Sequence, residues 1–423
     1  MGRLITVAGW DGGALPPLVR RRLDEAVLVM GGRRHLREVA LPPGTRTLAL
    51  RDDPAGALAE VVGSPGPVVV LASGDPGFFG VLRLLREQVP AAELEVVPAV
   101  SSVATAFARV ALPWDDAVVV SAHGRDPRSA VAACRAHPKV AVLTAPGAGP
   151  AELGRALAGV PRTMVVAERL GLPDERVVRV APSEADGPWA EPNVVLVLDE
   201  DRAVAPEKGW LAGRTQPAGW ALPEQAFAHR DGMITKVEVR ALALARLGPR
   251  LGDVVWDVGA GSGSVGVECA RLGAAVVAVE QGPVDDVVAN AAAHGVDVQV
   301  VQGSAPAALA DLADPDAVFV GGGGADVAEI VRACVARGPR VVVVALAALD
   351  RVAEVLAALA PYEVDGVQLS AARLRPLAGA LALAATNPVL LLWGSRPGAA
   401  DHGGGAAQGR QQLHDRRGVG GAP

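Results

Sequence analysis

The sequence predicts an α/β protein made of more than one folding unit, and three observations carry that prediction. Short, wholly apolar runs recur along the chain and alternate with stretches of helical spacing, the pattern of parallel strands buried on both faces. At 254–258 one such run enters a glycine-rich turn, Asp257-Val258-Gly259-Ala260-Gly261-Ser262-Gly263, and then a helix that begins near Ser264. Between 199 and 223 the pattern is lost, with Pro206, Gly209, Gly213, Pro217 and Gly219 interrupting any period, so that stretch reads as a linker.

In chain order, residues 4–8 form a first strand that ends at Gly9-Trp10-Asp11-Gly12-Gly13, and 15–26 follow with helical spacing. A second strand at 27–30 stops at Gly31-Gly32, and a third at 68–71 runs into Ser73-Gly74-Asp75-Pro76-Gly77. That turn lies at the carboxyl end of its strand, where open α/β sheets bind ligands. Pro98-Ala99-Val100-Ser101-Ser102-Val103 opens a helix, for which Ser101 and Ser102 are suitable caps. Further apolar runs fall at 117–120, 140–143, 164–167 and 194–198, the first leading to Ser121-Ala122-His123-Gly124-Arg125.

In the second half, glycines at 259, 261 and 263 remove the side chains that would keep a ligand off the backbone and expose amides at a helix N-terminus. Glu280, seventeen residues past Gly263, ends the next run, where a nucleotide site holds ribose hydroxyls. The glycines fit two cofactors. Gly261-Ser262-Gly263-Ser264-Val265-Gly266 matches the dinucleotide G-x-G-x-x-G, and 257–263 matches an S-adenosylmethionine (SAM) loop. Lys236 and Arg240, four apart and so on one helical face, are candidates for holding substrate carboxylates, as are His123 and Arg125 beyond their strand. The stretch 377–393 contains Thr386-Asn387-Pro388, is too short to span a bilayer, and reads as a loop entering a last strand at 389–393.

Composition bounds the function. The 423 residues suggest two or three units at about 150 per unit, and half of them are hydrophobic, enough for sizeable cores. A net charge of −6 argues against a nucleic-acid binder but not against polyanionic small substrates. Cys134, Cys269 and Cys334 have no metal-type spacing, and no signal peptide opens the chain, so a reducing cytoplasm is expected, with no metal.

The turn at 73–80, the 98–103 segment and Ser-x-His-Gly-Arg at 121–125 recur in that order in the tetrapyrrole methylase family, which residues 3–200 resemble. Leu112-Pro113-Trp114 is similar to the precorrin C5 methyltransferases among them. One departure is the 9–13 turn, which many of these enzymes write as Gly-x-Gly-Pro-Gly. The resemblance implies two α/β lobes, about 1–112 and 113–200, with SAM near Gly9, Asp75, Ser101 and Ser102. The segment 231–240, the 257–263 loop and Gln302-Gly303-Ser304-Ala305-Pro306 resemble precorrin-type C15 methyltransferases that also decarboxylate, over 224–396. This implies a Rossmann-like class I methyltransferase domain in which Thr235, Gly259, Ala260, Gly261, Ser262, Gly263, Glu280 and Ala305 contact SAM.

The fusion resembles the bifunctional C5,15-methyltransferases of cobalamin biosynthesis. It implies one SAM per domain, methylation of precorrin-6Y at C5 and C15, loss of the ring-C acetate carboxyl to give precorrin-8X, and self-association. The expected organisation is a methylase domain at 1–200, a linker at 201–222, a second methyltransferase domain at 223–396 and a disordered tail at 397–423. Two other classes stay open at this point: a nicotinamide-dependent oxidoreductase using the 259–266 loop, and a non-catalytic SAM-binding protein.

Overall fold

The structure is a computed structural model that describes residues 4–50, 54–123, 126–204, 212, 213, 217, 219–230 and 232–398. Arg125, half of the expected linker and all but the first two residues of the expected tail lie outside the described residues. The chain forms two compact α/β units, Met1–Thr215 and Gln216–Pro423.

The first unit holds two sheets. One contains β1 (Ile5–Trp10), β2 (Leu28–Gly31), β3 (Arg46–Ala49), β4 (Val68–Ser73) and β5 (Leu94–Val97) in the order β3-β2-β4-β1-β5. All four pairings are parallel, so the carboxyl ends of the strands share one edge. β1, β2 and most of β4 are buried, as their unbroken apolar sequences require. The other sheet contains β6 (Val118–Ser121), β7 (Lys139–Leu143), β8 (Thr163–Glu168), β9 (Arg176–Val180) and β10 (Asn193–Leu198) in the order β6-β7-β10-β8-β9. Here only β6 and β7 run parallel.

The second unit is a seven-stranded sheet of β11 (Val254–Val258), β12 (Ala275–Glu280), β13 (Val298–Gln302), β14 (Ala317–Val320), β15 (Val341–Leu346), β16 (Glu363–Leu369) and β19 (Val389–Ser395), with a separate hairpin of β17 (Ala372–Leu377) and β18 (Ala380–Ala385). The order is β13-β12-β11-β14-β15-β19-β16, and the first five strands are parallel. Strand order reverses at β11, so its carboxyl end faces the crevice where such sheets take ligands. Val239, Ala243, Leu244 and Leu247 of the helix Val237–Leu247 pack on Val255, Phe319, Val343 and Trp393 to form its core.

The hairpin corrects the expectation of a loop at 377–388, while the last strand expected at 389–393 forms as β19. Ala378 and Gly379 both have positive φ, 47° and 83°, and make a two-residue turn of the kind that matches strand twist. Leu381 and Leu383 alternate with alanines rather than polar residues, so the strand period left no mark in the sequence. No helix among the described residues is long and apolar enough to cross a membrane.

Candidate functional site

In the second unit the glycine turn leaves β11 at the point of strand reversal. Gly259 and Ala260 donate their N–H groups to Val279 O at 2.8 and 3.2 Å, which folds the turn back over the end of β12. Gly259, Gly261 and Gly263 have φ of 71°, 56° and 71°, a region that side-chain-bearing residues seldom adopt. The nearest atom to a Cβ built at Gly261 is Met233 O at 3.8 Å, so the outer side of the turn is open to a ligand. The helix Ser264–Arg271 that follows has no side-chain cap, which leaves its positive end directed at the turn.

Glu280 reaches back to the same turn. Its Oε2 accepts from Gly261 N–H at 2.8 Å and its Oε1 from Gly282 N–H at 2.8 Å, so each oxygen keeps acceptor capacity for a hydroxyl. Asp257 is buried under the turn, where its Oδ2 accepts from Gly266 N–H at 2.8 Å and its Oδ1 has no partner. Burial pushes its carboxyl up to about 7. Ala305 lies in the part-buried loop after β13, tied to the tip of β12 by Gly303 N–H donating to Glu280 O at 2.9 Å. Ser304 is exposed.

The segment leading into the helix Val237–Leu247 carries Thr235, and Met233, whose carbonyl faces this turn. It is fixed by two buried polar residues. Asn290 donates from Nδ2 to both Ala228 O and Ser262 O at 2.8 Å and accepts from Ala228 N–H at 2.7 Å, joining the segment to the glycine turn. Arg240 donates to Thr235 O at 2.7 Å, to Leu222 O, and to Glu268 at 3.3 Å, with its guanidinium 4.7 Å from the Phe227 ring centre.

This overturns the reading of Arg240 as a substrate-carboxylate contact. The side chain is fully buried, and the donors named are spent within the fold. Lys236 stands just before the helix, partly exposed, with its Nζ 3.5 Å from Glu224. Arg373 of β17 pairs with the same Glu224 at 2.7 Å and holds its carboxyl down at about 2.

In the first unit the backbones of three segments converge at the carboxyl edge of the parallel sheet. A Cβ at Gly9 would fall 2.0 Å from Gly74 O and 2.6 Å from Ala99 N, so only glycine permits this approach. A Cβ at Gly74 would lie 3.1 Å from Ser101 Cα. Gly9, the Asp75 turn and Ser101 are thereby brought together. Asp75 Oδ1 accepts from Gly77 N–H at 2.8 Å, and Ser101 caps its helix by accepting from Ala104 N–H at 3.1 Å, with Ser102 the first helical residue.

The unusual 9–13 turn also has a visible role. Trp10 Nε1 donates to Gly13 O at 2.7 Å, and a Cβ at Gly171 would lie 1.8 Å from Asp11 O, so the turn seats against the loop after β8. His123 is exposed just past β6, and no hydrogen bond or ion pair among the described residues joins it to the Gly9–Ser101 cluster.

Both units therefore present a glycine-bearing turn at the carboxyl ends of parallel strands, the arrangement of a nucleotide-cofactor site, built twice on different topologies. The precorrin methyltransferase domain family matches residues 225–395, and the tetrapyrrole (corrin/porphyrin) methylase family matches residues 11–186. A precorrin-6Y C(5,15)-methyltransferase (decarboxylating) from Sinorhizobium sp. is 39% identical over 75% of this chain and 78% of its own length. Its counterpart from Mycobacterium tuberculosis is 37% identical over 72% of this chain and 76% of its own length. A cobalt-precorrin-7 C(5)-methyltransferase from Salmonella typhimurium is 30% identical over 47% of this chain and all (100%) of its own length.

The class defined here is a SAM-dependent C-methyltransferase with two methyltransferase domains. Within that class, the chain belongs to the precorrin-6Y C(5,15)-methyltransferase (decarboxylating) family. These relatives support the SAM reading of the 259–263 turn and not the dinucleotide one.

Proposed function

We propose that this chain adds methyl groups to precorrin-6Y at C5 and C15 and removes the carboxyl of its ring-C acetate, with one SAM held in each unit, in the cytoplasm. The observation that carries this reading is the pair of separate turn-and-strand sites, the second inside its family match at 225–395 and the first, apart from Gly9, inside its match at 11–186.

In the second unit, Gly259, Ala260, Gly261, Ser262 and Gly263 let the cofactor lie against the bare backbone of the turn, Glu280 takes ribose hydroxyls, and Thr235 and Ala305 flank the cofactor. The residues fit the group: the space beside Gly261 is open, and Glu280 has lone pairs to spare. In the first unit, Gly9, Asp75, Ser101 and Ser102 do the corresponding work. SAM when bound supplies an electrophilic methyl group. The protein's contribution is to hold the acceptor carbon in line and to keep water out. Decarboxylation needs an electron sink, which the tetrapyrrole carries itself, and a desolvated, oriented acetate. Lys236, partly exposed beside Thr235, is the candidate to meet that carboxylate.

Self-association is proposed through the hairpin of β17 and β18. Leu374, Leu381 and Leu383 share its outer face and are 68%, 69% and 68% exposed, while Arg373 on the inner face anchors it to Glu224 and Glu238. Leu381→Glu is expected to lower the mass seen by sedimentation.

The deciding experiment is incubation of the full chain with precorrin-6Y and labelled SAM, with product mass and carbon dioxide read together. Two methyls gained and one carboxyl lost support the reading; a single methyl, or no carbon dioxide, overturns it. Calorimetry that finds one SAM per folded chain would overturn the count of one per unit.

A further inference from the structure

At the carboxyl edge of the first parallel sheet, beside the Gly9–Ser101 cluster, lies a group of side chains that the site above does not use. Trp10 ends β1 and stands opposite Ser73, the last residue of β4. His35, in the short helix after β2, is buried and meets Ser73 Oγ through Nε2 at 3.0 Å, with its ring edge-on to Trp10 at 5.8 Å. Arg34 lies over the other side of this wall, its guanidinium 5.8 Å from the Trp10 ring centre and 3.5 Å from Ser73 Oγ.

Arg34 is half-buried, yet no carboxylate among the described residues lies within 4 Å of it. Its neighbours in charge are Glu38, which favours its protonated form, and Arg169, which opposes it. Arg22 and Arg169, by contrast, already hold Glu95 at 2.7 Å and Asp174 at 2.6 Å. Asp75, the nearest acidic residue in the sequence after Ser73, has its Oδ1 turned to Gly77 N–H. A half-buried guanidinium with an exposed hydroxyl beside it and a second cation nearby is an anion seat, and its planar fork suits a carboxylate.

Resting on the C5-methylation reading of the first unit, we propose that Arg34 and Ser73 form a carboxylate-binding subsite that takes an acetate or propionate side chain of the tetrapyrrole. His35 is a positioning residue there: its Nε2 fixes the Ser73 hydroxyl, and its ring backs the indole on which Arg34 rests. The subsite sits at the same strand ends as the proposed cofactor turn, so a seated carboxylate sets which edge of the macrocycle faces the methyl group.

The test uses the full chain with Arg34→Ala and Arg34→Lys. C5 methylation by Arg34→Ala is expected to show a KM raised by roughly tenfold or more, the loss of one charge-assisted hydrogen bond, with kcat and SAM affinity near wild type. Arg34→Lys should recover part of the loss. Fluorescence titration with uroporphyrin in the presence of S-adenosylhomocysteine should show the same weakening, and the fully esterified porphyrin should not respond to the substitution. KM and titration both within twofold of wild type overturn the proposal. So does a matching fall in SAM affinity or melting temperature, which would make Arg34 a structural residue. If the wild-type chain adds no methyl at C5, the catalytic reading fails, and the titration still decides the subsite.

Discussion

Arg240 and Glu268 form an ion pair in which neither side chain has any solvent exposure, Nε and Oε1 standing 3.3 Å apart. Glu268 also accepts from Ala221 N–H at 3.1 Å and Leu222 N–H at 2.7 Å, and it pairs with Arg271 at 3.2 Å. The pair thus ties the helix after the glycine turn to the segment that carries Thr235. Removing one partner strands a buried charge, which typically costs about 3–5 kcal/mol.

Arg240→Met is therefore expected to lower the melting temperature of the second unit by roughly 6–20 °C and to weaken SAM binding there, because Thr235 O loses its donor. Thermal unfolding and calorimetry on the full chain check both. A melting temperature within 2 °C of wild type, at a precision set by about 1 kcal/mol, would show that the pair is dispensable.

What was legible in the sequence was the backbone of each site. Glycines at 9, 259, 261 and 263 and the acid at the tip of β12 follow from what a close-approaching chain requires, and β1, β2, β4 and the strands of the second sheet's core announce themselves by unbroken apolar runs. The polar supports were not legible. The spacing of Arg240 from Lys236 places two residues on one helical face but does not say whether that face is wet. Asn290 and Glu268 each sit within apolar neighbours, in Val-Ala-Asn-Ala and Gly-Val-Glu-Cys, and a lone polar residue on a buried helix is the signal that would have found them. β3, β5, β9 and β16 are partly exposed and carry charged or polar residues, so their runs were too mixed to stand out.

Asp257 gives the second unit a pH dependence of its own. Its ordinary value is 3.8 and burial pushes it up to about 7. Between those values the unfolded chain has released this proton while the folded chain keeps it, so the fold loses stability as pH rises through the window. Asp257→Asn keeps an acceptor for Gly266 N–H and has no charge to desolvate. The variant should gain on wild type from pH 4 to 8, by on the order of 2–4 kcal/mol at the upper end. A stability difference that does not change with pH would refute the assignment.

His35 acts in the opposite direction in the first unit. Burial, aided by the Arg34 charge, pulls it down to about 4 from an ordinary 6.5. Between 6.5 and 4 the unfolded chain takes up a proton that the folded chain refuses, so stability is lost on acidification across that window. His35→Gln keeps a partner for Ser73 and does not titrate. The wild type's advantage over the variant should shrink as pH falls from 7 to 4.5, and denaturant melts at a series of pH values read it directly. An advantage that stayed constant would place the protonation elsewhere.

Gly261→Val separates exclusion of the cofactor from damage to the fold. A Cβ there meets nothing closer than Met233 O at 3.8 Å, so the packing tolerates it, although its φ of 56° makes a side chain strained by about 1–2 kcal/mol. The branched side chain projects into the open side of the turn, where the proposed cofactor approaches the backbone. SAM binding in the second unit, the C15 methyl and carbon dioxide release should all be lost, while the first unit keeps its own SAM site and C5 methylation. Gly259→Val is the contrasting case, since its Cβ would lie 2.8 Å from Gly322 N and must displace backbone. That variant should unfold the second unit rather than merely block it, with a clear drop in melting temperature. If Gly261→Val still methylated C15 and released carbon dioxide at the wild-type rate, the 259–263 turn would not be the cofactor site of the decarboxylating half.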